Sequence, residues 1–305
     1  MSWDALRRFG ELTVYERTSD DQSEVAERIK GADIVVANKT PIRAEVINSA
    51  GALKYITILA TGYDIVDVAA ARARGIPVSN VPSYGTAAVA QFAIAMLLEI
   101  CHHVAHHSET VHAGRWESCA DWCYWDYPLI ELDGKTMGII GFGRIGQQTG
   151  RIAKALGMHI LATGSRPTDA GREIADYVEL DELLARSDVI SLHCPLSEKN
   201  TGMINKQSIA RMKDGVFLIN TARGPLINEA DLKEALESGK VGGAAVDVIS
   251  REPAAADNPL LKAPNMIITP HIAWAPREAR QRLMDITVEN MKAYLDGRPI
   301  HVVNM

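Results

Sequence analysis

The sequence has few cysteines. Cys101, Cys119, Cys123 and Cys194 are spread through 305 residues, too few and too irregular for a disulfide framework, and none sits in a C-x-x-C pair. Reduced thiols are expected. It also lacks a long apolar run: the stretch 87–100 is interrupted by Gln91 and Glu99 and is shorter than the roughly 20 residues needed to span a bilayer. The start, Met1-Ser2-Trp3-Asp4-Ala5-Leu6-Arg7-Arg8, has no apolar signal core. Charge of one sign is not concentrated either. The net charge is -6 with Lys and Arg scattered, which leaves no footprint for nucleic acid or anionic lipid and excludes both as expected partners. With 47% hydrophobic residues, 23 Gly and 13 Pro, disorder and collagen-like repeats are excluded, and the length suits about two domains. A cytoplasmic location is expected.

What is present is an alternation of strand-like apolar runs with amphipathic helical stretches, the signature of βαβ units and of parallel sheets covered on both faces. The expected class is α/β. Strands are expected at 12–15, 34–37, 55–59 and 77–79, then at 136–141, 159–163, 189–193, 217–220, 243–247 and 266–269. Between the two groups, 86–116 reads as one long helical stretch, apolar on nearly every side in its first half. Such a helix is buried on several faces, as at a domain junction or a subunit contact. A second long helix over 276–295 returns the chain to the first domain, so the expected division is 1–98 with 276–305, and 99–275.

The strand expected at 136–141 runs into Gly141-Phe142-Gly143-Arg144-Ile145-Gly146, a G-x-G-x-x-G followed by a helix. In that context the motif has a mechanism. Gly141 makes the tight turn, Gly143 lets the backbone approach a pyrophosphate, and Gly146 lets the helix pack on the strand. The helix N-terminus then holds the phosphates with unpaired N–H groups and its dipole. An acid ending the next strand would accept from a ribose 2′-OH and repel a 2′-phosphate. The strand 159–163 is followed instead by Gly164-Ser165-Arg166-Pro167, with a donor and a cation where a 2′-phosphate needs them. NADP(H) is therefore favoured over NAD(H), unless Asp169 curls back to the ribose.

Three polar residues follow expected strands, at the rim where open α/β sheets place their sites: Arg223, Glu252 and His271. With them, Thr61-Gly62-Tyr63-Asp64, the glycine loop, His193-Cys194-Pro195-Leu196, Asn220-Thr221-Ala222-Arg223-Gly224, Ala245-Val246-Asp247-Val248, Glu252-Pro253 and Thr269-Pro270-His271 form an ordered series over nearly the whole chain. In this the sequence resembles the D-isomer-specific 2-hydroxyacid dehydrogenase family. The resemblance implies two Rossmann-like doubly wound domains, with the nucleotide-binding domain inserted in the substrate domain, and a small anionic 2-oxo or 2-hydroxy acid as substrate. It implies Arg223, Glu252 and His271 as the catalytic set. An Arg fork holds the substrate carboxylate and polarises the carbonyl. The imidazolium of His271 donates the proton in reduction and the neutral ring accepts it in oxidation, while Glu252 favours the charged ring and orients it.

The resemblance further implies that Asp247 bonds the nicotinamide carboxamide, with capping of the next loop as its alternative. Cys194, Pro195, Thr201, Thr221, Ala222, His271 and Ala273 would line the cofactor beside Gly141, Gly143, Arg144, Ile145, Gly146, Ser165 and Arg166. Nothing near Cys194 in sequence lowers its pKa, so packing rather than reactivity is expected. Backbone N–H groups near Thr61 and Gly62 would take the substrate carboxylate, with Asp64 as a helix cap over 65–73 and Lys39 adding positive potential. The histidines His102, His103, His106 and His107 have helical metal-ligand spacing without acidic or Cys partners, so no metal is expected and a mostly solvated helix face is. Trp116, Trp122, Tyr124, Trp125 and Tyr127 are too aromatic for an ordinary exposed loop. In the resembled family this region lies at a dimer interface, which implies a homodimer in which Trp122 or Trp125 reaches the partner's pocket.

Asn38-Lys39-Thr40-Pro41-Ile42 and His271-Ile272-Ala273-Trp274-Ala275 look most like the glycerate dehydrogenase (hydroxypyruvate reductase) branch of the family. A D-lactate-type dehydrogenase and a dinucleotide-sensing corepressor remain alternatives. The family also opens with a strand before the point that Met1 matches, so the substrate domain is expected to lack its first strand.

Overall fold

A computed structural model of the chain describes residues 2–164 and 166–305, and its strands lie on the short apolar runs. Two units form, one from the residues up to Gly85 with Ala275–Met305, the other from Thr86–Trp274. The first junction therefore falls before the helix Thr86–His102 rather than inside it at 98/99. That helix buries Ala93, Ile94, Leu97, Ile100 and Cys101 with Met137, Ile139, Phe142 and Phe217 of the second unit, and this shared apolar core fixes its allegiance.

In the first unit, β1 (Ile34–Ala37), β2 (Tyr55–Ile58) and β3 (Val78–Ser79) form a parallel sheet in that order, with Ile34 opposite Tyr55 and Ile56 opposite Val78. The helices Gln22–Ile29, Ala44–Ser49 and Val68–Ala73 cover it through Val25, Ile29, Val46, Ile47 and Ala71. The helix Arg277–Leu295 brings Tyr294 flat against Tyr55, with ring centroids 4.2 Å apart. Beyond it the tail runs beside β3, where Val78 N–H donates to Asn304 Oδ1 at 2.8 Å.

Two expectations for this unit are corrected. Residues 12–15 are not a strand. β1 is an edge of the sheet among the described residues, so nothing pairs with them, and an extended segment without a ladder partner is not held as a strand; Tyr15 is 50% exposed beneath the Arg28 guanidinium. The cap of the next helix is Asp67, not Asp64. The helix begins at Val68, and Asp67 Oδ1 accepts from Ala70 N–H at 2.9 Å.

In the second unit, β4 (Thr136–Ile140), β5 (His159–Thr163), β6 (Asp176–Tyr177), β7 (Val189–Leu192), β8 (Val216–Asn220), β9 (Val241–Val246) and β10 (Met266–Ile268) form a seven-stranded parallel sheet in the order β10-β9-β8-β7-β4-β5-β6. β7 and β8 are buried at every residue, as strands covered on both faces must be, which explains their unbroken apolar sequence. The strand order reverses between β4 and β7, the switch point where such sheets bind ligands.

The expected single helix over 86–116 is two helices, Thr86–His102 and Val104–His112, bent by 58° at His103. His103 adopts a left-handed conformation (φ 47°) and stacks on Tyr127 at 4.1 Å. Among the described residues, no single helix is long and apolar enough to cross a membrane.

The helix Val104–His112 buries no residue and His102 is exposed, but His103, His106 and His107 are half-buried and engaged. His106 Nε2 lies 2.7 Å from Asp126 Oδ2, and His107 accepts from Asp126 N–H at 3.2 Å while its Nδ1 lies 2.8 Å from His103 O. Asp126 also takes both arms of the Arg115 guanidinium, and these contacts hold its carboxyl below the usual carboxylate range. The histidines thus pin the aromatic loop to the helix. Among the described residues no group of three His, Cys, Asp or Glu is placed to hold a metal ion.

Candidate active site

At the switch point β4 ends at Ile140, and Gly141 turns with φ +95°, its N–H donating to Thr163 O at 2.9 Å. A side chain there would collide with the backbone of His193 and Cys194 after β7, so only glycine lets the two strand ends meet. Gly143 is the N-cap of the helix Arg144–Ala155. A Cβ on Gly143 would meet nothing within 4 Å. Gly146 packs its Cα against Gly141 O. Open space in front of an exposed helix N-terminus whose first N–H groups have no intrahelical acceptor fits a pyrophosphate. Thr221 Oγ1, buried with no hydrogen-bond partner among the described residues, adds an orphaned polar atom at the neighbouring β8 turn. The residues present fit a dinucleotide.

After β5 the chain turns at Gly164 (φ +80°), and Arg166 is exposed, whereas Ser165 lies outside the described residues. Asp169 opens a short helix, Asp169–Arg172, capped by Thr168, whose Oγ1 accepts from Gly171 N–H at 3.0 Å. Around the β7 turn, Asn200 donates to Pro195 O at 2.8 Å and Thr201 Oγ1 donates to Ser197 O at 3.0 Å. Burial pushes the Cys194 thiol up, which keeps it protonated and suits a packing residue. Desolvation pulls His193 down to about 4, so it is neutral beside Ser191 Oγ, 2.9 Å away.

The catalytic candidates come from three adjacent strand ends. Arg223 lies in the turn after β8, where Asn220, fully buried, accepts from Ala222 N–H at 3.0 Å and donates to Arg223 O at 2.9 Å. Gly224 then packs directly on the backbone of Ile249 and Ser250, in the loop that leads to Glu252. Glu252 and His271 meet: Oε2 lies 2.6 Å from Nδ1, while Oε1 accepts from Ile249 N–H at 3.3 Å. This places the carboxylate on one ring nitrogen and leaves Nε2 as the other working edge.

Asp247 is 1% exposed, and its carboxylate accepts from Thr269 Oγ1 at 2.6 Å, Ile272 N–H at 2.8 Å and Ala273 N–H at 2.8 Å. Its own carbonyl accepts from His271 N–H at 2.8 Å. Four bonds from one residue hold the loop in which His271 takes φ 56°, a conformation that costs a non-glycine residue of order 1 kcal/mol. Capping of the next loop was the sequence-based alternative for Asp247, whereas Asn220 was quoted within its motif without a role. An Asn closing a strand before a turn is the local signal that points to one.

In the first unit, Lys39 is exposed with φ 61° after β1. Thr61 and Gly62 follow β2, and among the described residues their N–H groups donate to no protein acceptor.

Residues 94–273 match the sequence pattern described as "D-isomer specific 2-hydroxyacid dehydrogenase, NAD binding domain". Together with full-length relatives, this shows that the chain belongs to the D-isomer specific 2-hydroxyacid dehydrogenase family, oxidoreductases that act on a CH–OH group with a nicotinamide dinucleotide. It is 59% identical to a hydroxypyruvate reductase of Blautia hydrogenotrophica over 100% of this chain and 95% of that relative. It is 40% identical to a glycerate dehydrogenase of Methylorubrum extorquens over 96% of this chain and 92% of the relative. Among solved structures, an acyclic imino acid reductase in complex with NADPH and D-Arg superposes with a TM-score of 0.89 at 31% identity, covering 99% of this chain and 96% of the other.

Proposed function

We propose that this protein reduces hydroxypyruvate and glyoxylate, the former to D-glycerate, with NADPH preferred over NADH. The observation that carries the reading is the 2.6 Å pair between Glu252 and His271, which follow the two strands next in order to β8, whose turn carries Arg223. Identity with the Blautia hydroxypyruvate reductase over the full chain supports the substrate.

Bound at the glycine loop, the dinucleotide supplies hydride from the nicotinamide. Arg223 holds the substrate carboxylate and polarises the carbonyl oxygen. His271, oriented through Nδ1 by Glu252, presents the proton at Nε2 to the oxygen as it gains negative charge. Asp247 holds the His271 loop and is the residue assigned to the nicotinamide carboxamide when the dinucleotide is bound. Gly141, Gly143, Arg144, Ile145 and Gly146 cradle the pyrophosphate; Cys194, Pro195, Thr201, Thr221, Ala222 and Ala273 line the cofactor. Ser165 and Arg166 receive the 2′-phosphate, because no acid ends β5 to repel it. The first unit is the substrate-binding domain, in which Thr61 and Gly62 give backbone N–H groups to the substrate anion and Lys39 adds positive potential. The exposed Trp116, Trp122 and Trp125, the second of them 91% exposed, support a homodimer assembled through this aromatic loop.

Initial rates of NADPH and NADH oxidation with hydroxypyruvate, glyoxylate, pyruvate, 2-oxobutyrate and phenylpyruvate test the reading, and sedimentation tests the dimer. Fast turnover with the first two acids and a lower KM for NADPH is expected. Preference for pyruvate would indicate a D-lactate-type enzyme, and tight dinucleotide binding without turnover would indicate a sensing protein.

A further inference from the structure

Within the first unit, the turn at Thr61 and Gly62 is held by an amide relay. Thr61 Oγ1 donates to Val81 O at 2.7 Å, and Thr61 O accepts from Asn80 Nδ2 at 2.7 Å. Asn80, itself buried, is clamped in turn. Its carbonyl accepts from Asn290 Nδ2 at 2.9 Å and its N–H donates to His301 O at 3.1 Å. His301 Nδ1 lies 2.8 Å from Asn290 Oδ1, which closes a three-residue ring joining the end of β3, the Arg277–Leu295 helix and the C-terminal tail. Asn290 is 0% exposed, so either half of its amide left without a partner would carry a desolvation penalty.

The consequence lies in the peptide unit between residues 61 and 62. That unit is planar and trans, so Thr61 C=O and Gly62 N–H point in opposite directions along one rigid plate. A donor fixed on the oxygen therefore sets where the N–H points, and it polarises that N–H as an anion donor. With Thr61 O and Oγ1 both bonded, the donors left in the turn are the N–H groups of Thr61 and Gly62.

We propose that Asn80 is a positioning residue for the substrate carboxylate, aiming the Gly62 N–H through the Thr61 carbonyl, and that Asn290 and His301 keep Asn80 in place. This rests on the reading of Thr61 and Gly62 as carboxylate ligands. Any small 2-carboxylate is held by this plate in the same way, so the relay acts on substrate affinity and not on proton transfer.

The test compares Asn80→Ala, Asn290→Asp and Gly62→Ala with the parent enzyme, measuring kcat, KM for hydroxypyruvate, KM for NADPH and thermal midpoint. Asn290→Asp keeps the acceptor for His301 and loses the donor to Asn80 O. About a tenfold rise in the hydroxypyruvate KM is expected for Asn80→Ala, the scale of one lost hydrogen bond, with kcat changed less and the NADPH KM unchanged. Asn290→Asp should follow in the same direction, and it decides the matter if Asn80→Ala does not fold. A raised KM in Gly62→Ala with parent-like KM in both amide variants overturns the relay and leaves the carboxylate reading standing. A parent-like KM in all three overturns both. Equal losses in kcat and in both KM values in the amide variants mark a merely structural role and also overturn the relay.

Discussion

Glu252 and His271 are brought to 2.6 Å by two different loops, and each loop is fixed by a different bond set. Ile249 N–H holds Glu252 Oε1, and the buried Asp247 holds the Thr269 hydroxyl before His271 and the backbone N–H groups of Ile272 and Ala273 after it. The imidazole therefore has one available orientation, which is what a proton donor to a defined oxygen requires.

Replacing His271 by Ala is expected to lower kcat by about 10²–10⁴-fold, the range of general acid–base catalysis, while the dissociation constant for NADPH stays within about twofold. Glu252→Gln keeps the shape but loses the charged acceptor, and about a 10–100-fold loss in kcat is expected, as for other orienting partners. Steady-state kinetics with fluorescence titration of NADPH checks both. Parent-like kcat in His271→Ala would remove the proton-transfer role.

Two glycines should separate folding from binding. At Gly224 a methyl group would strike the Ile249 carbonyl, where no flexible side chain can yield, so Gly224→Ala should lose about 1–3 kcal/mol and lower the thermal midpoint by several degrees. At Gly143 the backbone is ordinary (φ -78°) and the space is open. Gly143→Val should keep the parent's midpoint yet raise the NADPH dissociation constant at least about tenfold, because its side chain fills the space assigned to the pyrophosphate. Calorimetry and equilibrium titration on the two variants read the contrast directly.

Acid stability should depend on His193. Desolvation depresses its pKa to about 4 in the folded chain, against an ordinary value near 6.5 when unfolded. The unfolded state thus binds the proton more readily between these values, so stability is full above pH ~6.5 and falls as the pH drops toward 4. Between pH 7.5 and 5 the parent should lose about 2 kcal/mol more than His193→Gln, which lacks the titrating ring. Urea midpoints at the two pH values measure the difference, and equal losses in both proteins would assign acid lability to other groups.

Much of this arrangement was legible locally. The run Thr136-Met137-Gly138-Ile139-Ile140 followed by Gly141, Gly143 and Gly146 announces a strand, a turn and a helix, because each step depends on neighbours within a few residues. Arg223, Glu252 and His271 were legible as residues beyond strand ends. The short edge strand β6 was not, since two residues held only by Leu161 and Ala162 carry no periodicity. Residues 12–15 carry a strand pattern but find no ladder, and Asp64 carries a capping residue's chemistry three positions too early for the helix that forms.

By itself the sequence determined the α/β class, the glycine turn after β4 and the identities of the side chains proposed to react, because alternation of apolar runs, glycine placement and side-chain chemistry are properties of the chain's own order. Tertiary structure decided which polar groups meet. The Glu252–His271 pair, the four bonds of Asp247, the histidines that pin Asp126 and the ring of Asn80, Asn290 and His301 join residues distant in sequence. Their partners are set by how strands and helices pack, since buried polar groups must find donors and acceptors wherever the fold has brought them.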